Sequence, residues 1–210
     1  MRRVGNGIDP SYSTGQRRDL VFAGSSGVYR SLDGIRRAKL VAPGGRNPAY
    51  NDIKCHVVTY ERNIDGVDQV AWRFLGTSGN PTGVPCDRLD KSGEQYASKR
   101  GSRLGNAHSR SPVIGNSGFY ISYESDASNL GTNSLSRVGD FNDRADSYLY
   151  TAVRDITLVQ SVFEKAVPVP GGGRNPSMAF YANYITFDSP APLGAASGDH
   201  QIFMRYLGPV

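Results

Sequence analysis

Gly44-Gly45-Arg46-Asn47-Pro48 recurs as Gly172-Gly173-Arg174-Asn175-Pro176 in a chain of 210 residues. Ser111-Pro112 lies midway, so Pro48, Pro112 and Pro176 are spaced by 64 residues each time. A period of this size marks an array of supersecondary units, each burying its faces against its neighbours.

The same grammar follows each proline. Copy two reads Pro48-Ala49-Tyr50, then Val57-Val58-Thr59-Tyr60, then Val70-Ala71-Trp72-Arg73-Phe74-Leu75-Gly76. Copy three reads Pro112-Val113-Ile114, Tyr120-Ile121-Ser122-Tyr123 and Tyr148-Leu149-Tyr150. Copy four reads Pro176-Ser177-Met178, Tyr184-Ile185-Thr186-Phe187 and Ile202-Phe203-Met204-Arg205-Tyr206-Leu207-Gly208. A shorter first copy has Pro10-Ser11-Tyr12, Leu20-Val21-Phe22 and Val28-Tyr29-Arg30. Phe22, Tyr60, Tyr123 and Phe187 form an aromatic column 11 or 12 residues after the proline. Stacked sheets need such a column, because each must present a large side chain at the same height. β-Branched and aromatic residues fill these runs, and Gly, Asn, Asp, Ser and Pro fill the joints. No stretch sustains a helical period, and Ser161 to Val167 is cut short by Pro168.

A fourth strand is expected at Arg36–Val41, at Asp155–Val159 and around Tyr96. The last lies in a long, weakly patterned insertion, residues 77–110. The chain stops after the third strand of copy four, while Arg2-Arg3-Val4 precedes Pro10 where a fourth strand belongs. The reading is an all-β protein in one domain, residues 1–210. It is a small propeller of four blades of four short antiparallel strands, closed by the N-terminal strand.

The repeat resembles the TolB-type, WD40-like β-propeller repeat. Pro10-Ser11-Tyr12-Ser13 with Leu20-Val21-Phe22-Ala23-Gly24-Ser25 carries the likeness. So does Tyr120-Ile121-Ser122-Tyr123-Glu124-Ser125-Asp126-Ala127-Ser128-Asn129-Leu130, with Asp140 to Tyr150 following. It covers nearly the whole chain outside residues 77–110. It implies a propeller fold and an exported compartment, periplasmic or extracellular. Its members range over scaffolds, periplasmic interaction proteins and peptidase-associated domains.

Composition sets further bounds. There are 25 Gly and 12 Pro, with aromatics at 10%, which fits a turn-dense β-protein. No apolar run approaches the ~18 residues of a membrane span, and Met1-Arg2-Arg3-Val4-Gly5 has no apolar signal-peptide core. Net charge is +5. Residues 1–110 hold 18 Lys/Arg and 10 Asp/Glu, a net of +8; residues 111–210 hold 6 and 9, a net of −3. The basic half reads first as solvated strand edges guarded against pairing, and second as a surface for an acidic partner. Cys55 and Cys86 read either as free thiols or as a disulfide stapling the insertion to blade two, which would imply an oxidising compartment.

No nucleophile elbow, phosphate loop, dinucleotide fingerprint or Cys/His metal spacing occurs. His56, His108 and His200 are isolated in sequence, as surface or structural histidines are. Asp140, Asn142, Asp143 and Asp146 alternate oxygen donors before a strand, as do Asn63, Asp65 and Asp68. That spacing reads first as an Asx-turn and second as a calcium loop. The expected function is a non-enzymatic interaction scaffold or structural subunit that binds another protein or a multi-subunit complex. Tyr96, Arg100 and Arg103 of the insertion are the candidate contacts. The alternative is a carbohydrate-binding propeller using aromatics such as Tyr50, Trp72 or Tyr181, and a hydrolase-associated propeller domain ranks below both. Nucleic acid is not the expected partner, and apart from calcium no cofactor is expected.

Overall fold

The computed structural model describes residues 8–12, 19–32, 37–51, 53, 55–77, 86–89, 93–131, 142–162, 169–179, 182–190 and 200–208. Their regular structure is strand apart from single 3-10 turns such as Cys86–Leu89. Blade one runs β1 (Ile8–Tyr12), β2 (Leu20–Gly24), β3 (Gly27–Ser31) and β4 (Lys39–Pro43). Blade two runs β5 (Gly45–Asn51), β6 (Cys55–Ile64), β7 (Val67–Thr77) and β8 (Gln95–Tyr96). A small hairpin, β9 (Lys99–Arg100) and β10 (Arg103–Leu104), follows. Blade three runs β11 (Ser109–Ile114), β12 (Tyr120–Ser125), β13 (Asp146–Thr151) and β14 (Ile156–Val159). Blade four has three described strands, β15 (Arg174–Met178), β16 (Tyr184–Ser189) and β17 (Gln201–Tyr206). Every pairing is antiparallel between consecutive strands, as the repeat predicts. The three expected fourth strands are β4, β8 and β14.

Consecutive blades pack face to face, and β5, β11 and β15 carry the contacts to the blade before. Strand alternation decides which residues face which neighbour. Tyr60 pairs with Ala71 in register, Tyr123 with Tyr148 and Phe187 with Phe203. These residues face the preceding blade. Their neighbours in the strand, Thr59, Val70 and Trp72 in blade two, face the following one. Val21, Val28 and Ala42 therefore meet Tyr50, Val58, Tyr60 and Ala71 in one core. Val57, Val70 and Trp72 meet Ile121, Tyr123, Tyr148, Tyr150 and Val159 in a second, larger one. Between blades three and four the core shrinks to Val169, Phe187 and Phe203. No comparable interface joins the described strands of blade four to those of blade one. Arg2-Arg3-Val4, expected to complete the last blade, lie outside the described residues.

The structure revises the part played by the repeated pentapeptide. Its residues are turn formers, yet β5 begins at Gly45, before the proline. The ladder runs Gly45↔Arg62 and Arg46↔Glu61, then jumps to Ala49↔Thr59. The same jump occurs between Arg110 and Val113 and between Arg174 and Ser177. The proline thus sits at a β-bulge, where its missing N–H breaks no ladder bond. The residue before it is left-handed, with φ of 45° at Asn47, 54° at Ser111 and 48° at Asn175. Asn tolerates that region better than most side chains.

The glycines have separate duties. Gly44 and Gly172 have φ of +68° and +71°, which favours glycine. A Cβ on Gly45 would come within 2.7 Å of the Tyr60 ring, and one on Gly173 within 2.7 Å of the Phe187 ring. The second glycine therefore lets the inner strand pass beneath the aromatic column.

Candidate functional site

The bulge carries a recurring polar lock. Arg46 lies opposite Glu61 in register and donates from Nε to its Oε2 at 3.1 Å. The other oxygen, Oε1, accepts the Ser111 backbone N–H of blade three at 3.0 Å. One blade on, Arg110 Nε donates to Glu124 Oε1 at 2.5 Å, and Glu124 Oε2 accepts the Asn175 N–H of blade four at 2.9 Å. Each carboxylate is nearly buried, at 4% and 5% exposure, so it joins two blades away from water. In blade four the position belongs to Asp188, opposite Arg174 in register. Asp188 accepts from Asn175 Nδ2 at 2.9 Å and pairs with His200 at 2.7 Å. Burial pushes its carboxyl up, but these two partners outweigh it and hold it below the usual range. The sequence held a signal for the lock, an acid directly after the aromatic column at Tyr60-Glu61, Tyr123-Glu124 and Phe187-Asp188. Blade one departs from it, with Ala23 after Phe22.

The three candidate contact residues separate. Tyr96 forms β8, opposite Ala71, and packs on the core between blades one and two. Its hydroxyl donates to Glu94 at 2.7 Å, and the Tyr60 hydroxyl donates to the other oxygen of Glu94 at 2.5 Å. Burial first, then the Glu94 carboxylate, pushes the Tyr96 phenol up to about 12. Arg100 and Arg103 remain together. They face each other in register across the β9–β10 hairpin, whose two-residue turn is Gly101-Ser102, and both are exposed. The hairpin is seated on blade three, where the Thr157 hydroxyl donates to the carbonyls of Ala97 and Lys99. Lys99 adds an ion pair with Asp155 at 3.0 Å. No carboxylate among the described residues pairs with Arg100 or Arg103.

The candidate calcium residues are placed differently from one another. Asp140 lies outside the described residues. Asn142 Oδ1 accepts the Arg144 N–H at 2.9 Å, which is an Asx-turn, and its Nδ2 donates to the Val169 carbonyl at 3.0 Å. Asp143 is exposed with φ of 50°, and Asp146 is buried and accepts from the Ser161 hydroxyl. In the second loop Asp65 and Gly66 have φ of 50° and 88° and close the β6–β7 hairpin, as two left-handed residues do in a type I′ turn. Among the described residues no group of three His, Cys, Asp or Glu side chains converges on one point.

Cys55 and Cys86 form a disulfide, with Cα atoms 5.5 Å apart. It pins the turn Cys86–Leu89 to the start of β6, and Leu89 enters the core beneath it. Of the aromatics considered for sugar stacking, Tyr50 and Trp72 are core residues at 6% and 0% exposure, and Tyr181 lies outside the described residues.

A cleft of about 330 Å³ lies between blades three and four. Its origin is in the register. Trp72 and Phe74, which fill the junction between blades two and three, correspond to the smaller Leu149 and Thr151 at the next junction. The space left is lined by Tyr120, Leu149, Thr151, Arg205 and Tyr206 among others. Arg205 is half-buried, and burial alone lowers its guanidinium from the ordinary value. Its hydrogen bond is a long one, 3.4 Å to the Gln160 carbonyl. Gln160, also lining the cleft, is 3% exposed and its Oε1 has no partner among the described residues.

No family model and no curated protein matches the sequence. Among solved structures, TolB from Acinetobacter baumannii superimposes with a TM-score of 0.52 at 12% identity, over 98% of this chain and 41% of that one. The tricorn protease aligns over 96% of this chain and 21% of its own at 10% identity, with a TM-score of 0.41 too low to argue from. The chain thus spans about two fifths of TolB's length, and what the two share is the β-propeller fold.

Proposed function

We propose that this chain is a non-enzymatic interaction scaffold whose β9–β10 hairpin grips an acidic surface on a partner protein. The observation that carries the reading is the Arg100–Arg103 pair. Like charges directly opposite across two strands are unfavourable, and here they stand on an exposed, two-residue-per-strand hairpin anchored to blade three. A partner carboxylate between the two guanidiniums turns that repulsion into charge-assisted hydrogen bonds. The disulfide supports an exported setting, since such bonds persist in oxidising compartments. The test is a pull-down from the source organism with the wild-type chain and with Arg100→Glu/Arg103→Glu. The doubly reversed hairpin is expected to keep its circular dichroism and lose the partner. Equal recovery of the same partner would sink the proposal.

The cleft between blades three and four favours one second reading, a carbohydrate site. Its volume is at the low end for ligand pockets, and it combines Tyr120 with Arg205. Retention of the wild-type chain on an acidic-glycan array, abolished by Arg205→Ala, would put this reading ahead. No retention would remove it.

A further inference from the structure

Arg205 occupies a station that is served by a carboxylate in the two preceding blades. Register sets it opposite Ile185, as Tyr150 is opposite Ile121 in blade three and Arg73 opposite Val58 in blade two. Arg73 Nε donates to the Tyr60 hydroxyl at 3.2 Å, and that hydroxyl donates to Glu94 at 2.5 Å. Tyr150 donates to Asp155 at 2.6 Å and packs against Trp72, ring centroids 6.3 Å apart. In blade four the column residue is Phe187, which has no hydroxyl to relay such a bond. No carboxylate among the described residues pairs with Arg205, whose hydrogen bond is the 3.4 Å contact to the Gln160 carbonyl. A half-buried guanidinium is costly unless an anion meets it.

We propose that the cleft between blades three and four binds a carboxylate carried on a small apolar body, with Arg205 as its receptor. The ligand carboxylate takes the part that Glu94 and Asp155 play at the equivalent stations, and a guanidinium fork matches it with two parallel bonds. Arg154, exposed on the turn between β13 and β14, brings a second guanidinium to the cleft. No Asp or Glu among the described residues lines the space, so nothing there competes with an incoming anion. The rest of the wall sets the body of the ligand. Leu149 and Leu158 come from blade three, and Ala182 and Leu207 from blade four. Four aliphatic side chains suit an apolar body better than the hydroxyls of a sugar. Gln160 Oε1, unpaired among the described residues in the same wall, is an acceptor for an N–H beside the carboxylate. The last residue of a peptide offers all three features, and a free branched-chain acid offers the first two.

Nuclear magnetic resonance titration of the whole chain with four probes tests this. N-acetyl-L-leucine stands for a peptide end, isocaproate for a free acid, N-acetyl-L-leucinamide for the same body without the charge, and glucuronate for an acidic sugar. At least one of the two apolar acids is expected to bind, and the amide at least ~10-fold more weakly than its acid. The tighter of the two acids identifies the source. Arg205→Leu is expected to weaken the acids by ~10-fold or more and to erase their advantage over the amide. Thr151→Phe restores the side chain that Phe74 places at that station of blade two, and is expected to fill the cleft and weaken both acids. Should either variant fail to fold, the comparison of acid with amide on the wild-type chain decides. No binding of either acid at millimolar concentration would overturn the proposal, as would an amide that binds as well as its acid. Acids that bind either folded variant undiminished would do the same. Glucuronate binding more tightly than both apolar acids would overturn it in favour of the sugar site.

Discussion

Replacing Glu124 by Gln tests whether the bulge lock couples neighbouring blades. The wild-type carboxylate accepts from Arg110 Nε on one oxygen and from the Asn175 N–H on the other. Gln keeps the shape but has one oxygen, so its NH₂ must face either the guanidinium or the amide N–H. One charge-assisted bond, about 1.5–3 kcal/mol, is lost. The Arg110 side chain is 39% exposed, so water recovers part of the loss if the guanidinium is the group released. The net expectation is about 2 kcal/mol at the junction of blades three and four. Hydrogen exchange reads this locally. Exchange of the Asn175 amide is expected to accelerate ~30-fold, while the Ser111 amide, held by Glu61 one junction away, changes by less than ~3-fold. An unchanged Asn175 amide would refute the lock. Equal acceleration at Asn175 and Ser111 would refute it too, because Glu124 would then act on the whole fold and not on one junction.

Four further perturbations follow from the same geometry. Gly45→Ala places a Cβ 2.7 Å from the Tyr60 ring and 3.0 Å from Val28, at a φ that alanine accepts; overpacking of ~1–3 kcal/mol against an entropic gain of ~0.4–1 leaves a destabilisation of roughly 1–2 kcal/mol in urea unfolding. Gly173→Ala meets Ser161 and Phe187 in the same way and is expected to cost as much. Cys86→Ser opens the loop closed by Cys55–Cys86, 31 residues apart, and is expected to cost ~3–4 kcal/mol by loop entropy, with the drop reproduced by a reductant. Alkaline pH is expected to weaken the fold. Burial raises the phenols of Tyr60, Tyr96, Tyr123 and Tyr150, with Tyr96 at about 12, whereas unfolded tyrosine ionises at about 10. Their contribution is complete below pH ~10 and declines as pH rises through Tyr96's range, because the unfolded state releases protons first. A urea midpoint at pH ~11 equal to that at pH ~9 would contradict this.

The blade grammar was legible because the aromatic column and the bulge proline repeat at fixed stations. Tyr60, Tyr123 and Phe187 stand where the spacing put them, and β4, β8 and β14 are the expected fourth strands. Arg46, which recurs as Arg174, pairs with Glu61 and Asp68. The disulfide stayed open at the level of sequence because spacing carries no Cα distance; 5.5 Å is a property of the folded insertion. The bulge escaped notice for a related reason. Asn47-Pro48 reads as a turn, and only the ladder shows the strand continuing through it. The β9–β10 hairpin has two residues per strand, too few for alternation to register. The cleft at Arg205 depends on comparing side-chain sizes at equal register, Trp72 against Leu149, which the loop lengths conceal.

The one blade that lacks the lock's acid explains what the acid is for. Ala23 replaces it in blade one, and the junction with blade two is held by a different set of groups. Asp19 pairs with Arg30 at 2.5 Å and accepts from the Tyr50 hydroxyl at 3.2 Å, while Arg30 also meets His56 Nδ1 at 2.7 Å and lies over the Tyr50 ring. A blade joined by that network has no need of a carboxylate after its aromatic. Blade four has no such network on its outward face, where register puts Tyr184 at the station of Asp19 and Met204 at that of Arg30. It has the acid and the apolar stripe of blade two instead. The chemistry of that face is therefore that of a junction, with Ile202, Met204 and Tyr206 at the stations where Val70, Trp72 and Phe74 are packed in blade two. A blade meant to end in water would carry charged or polar residues at those three stations.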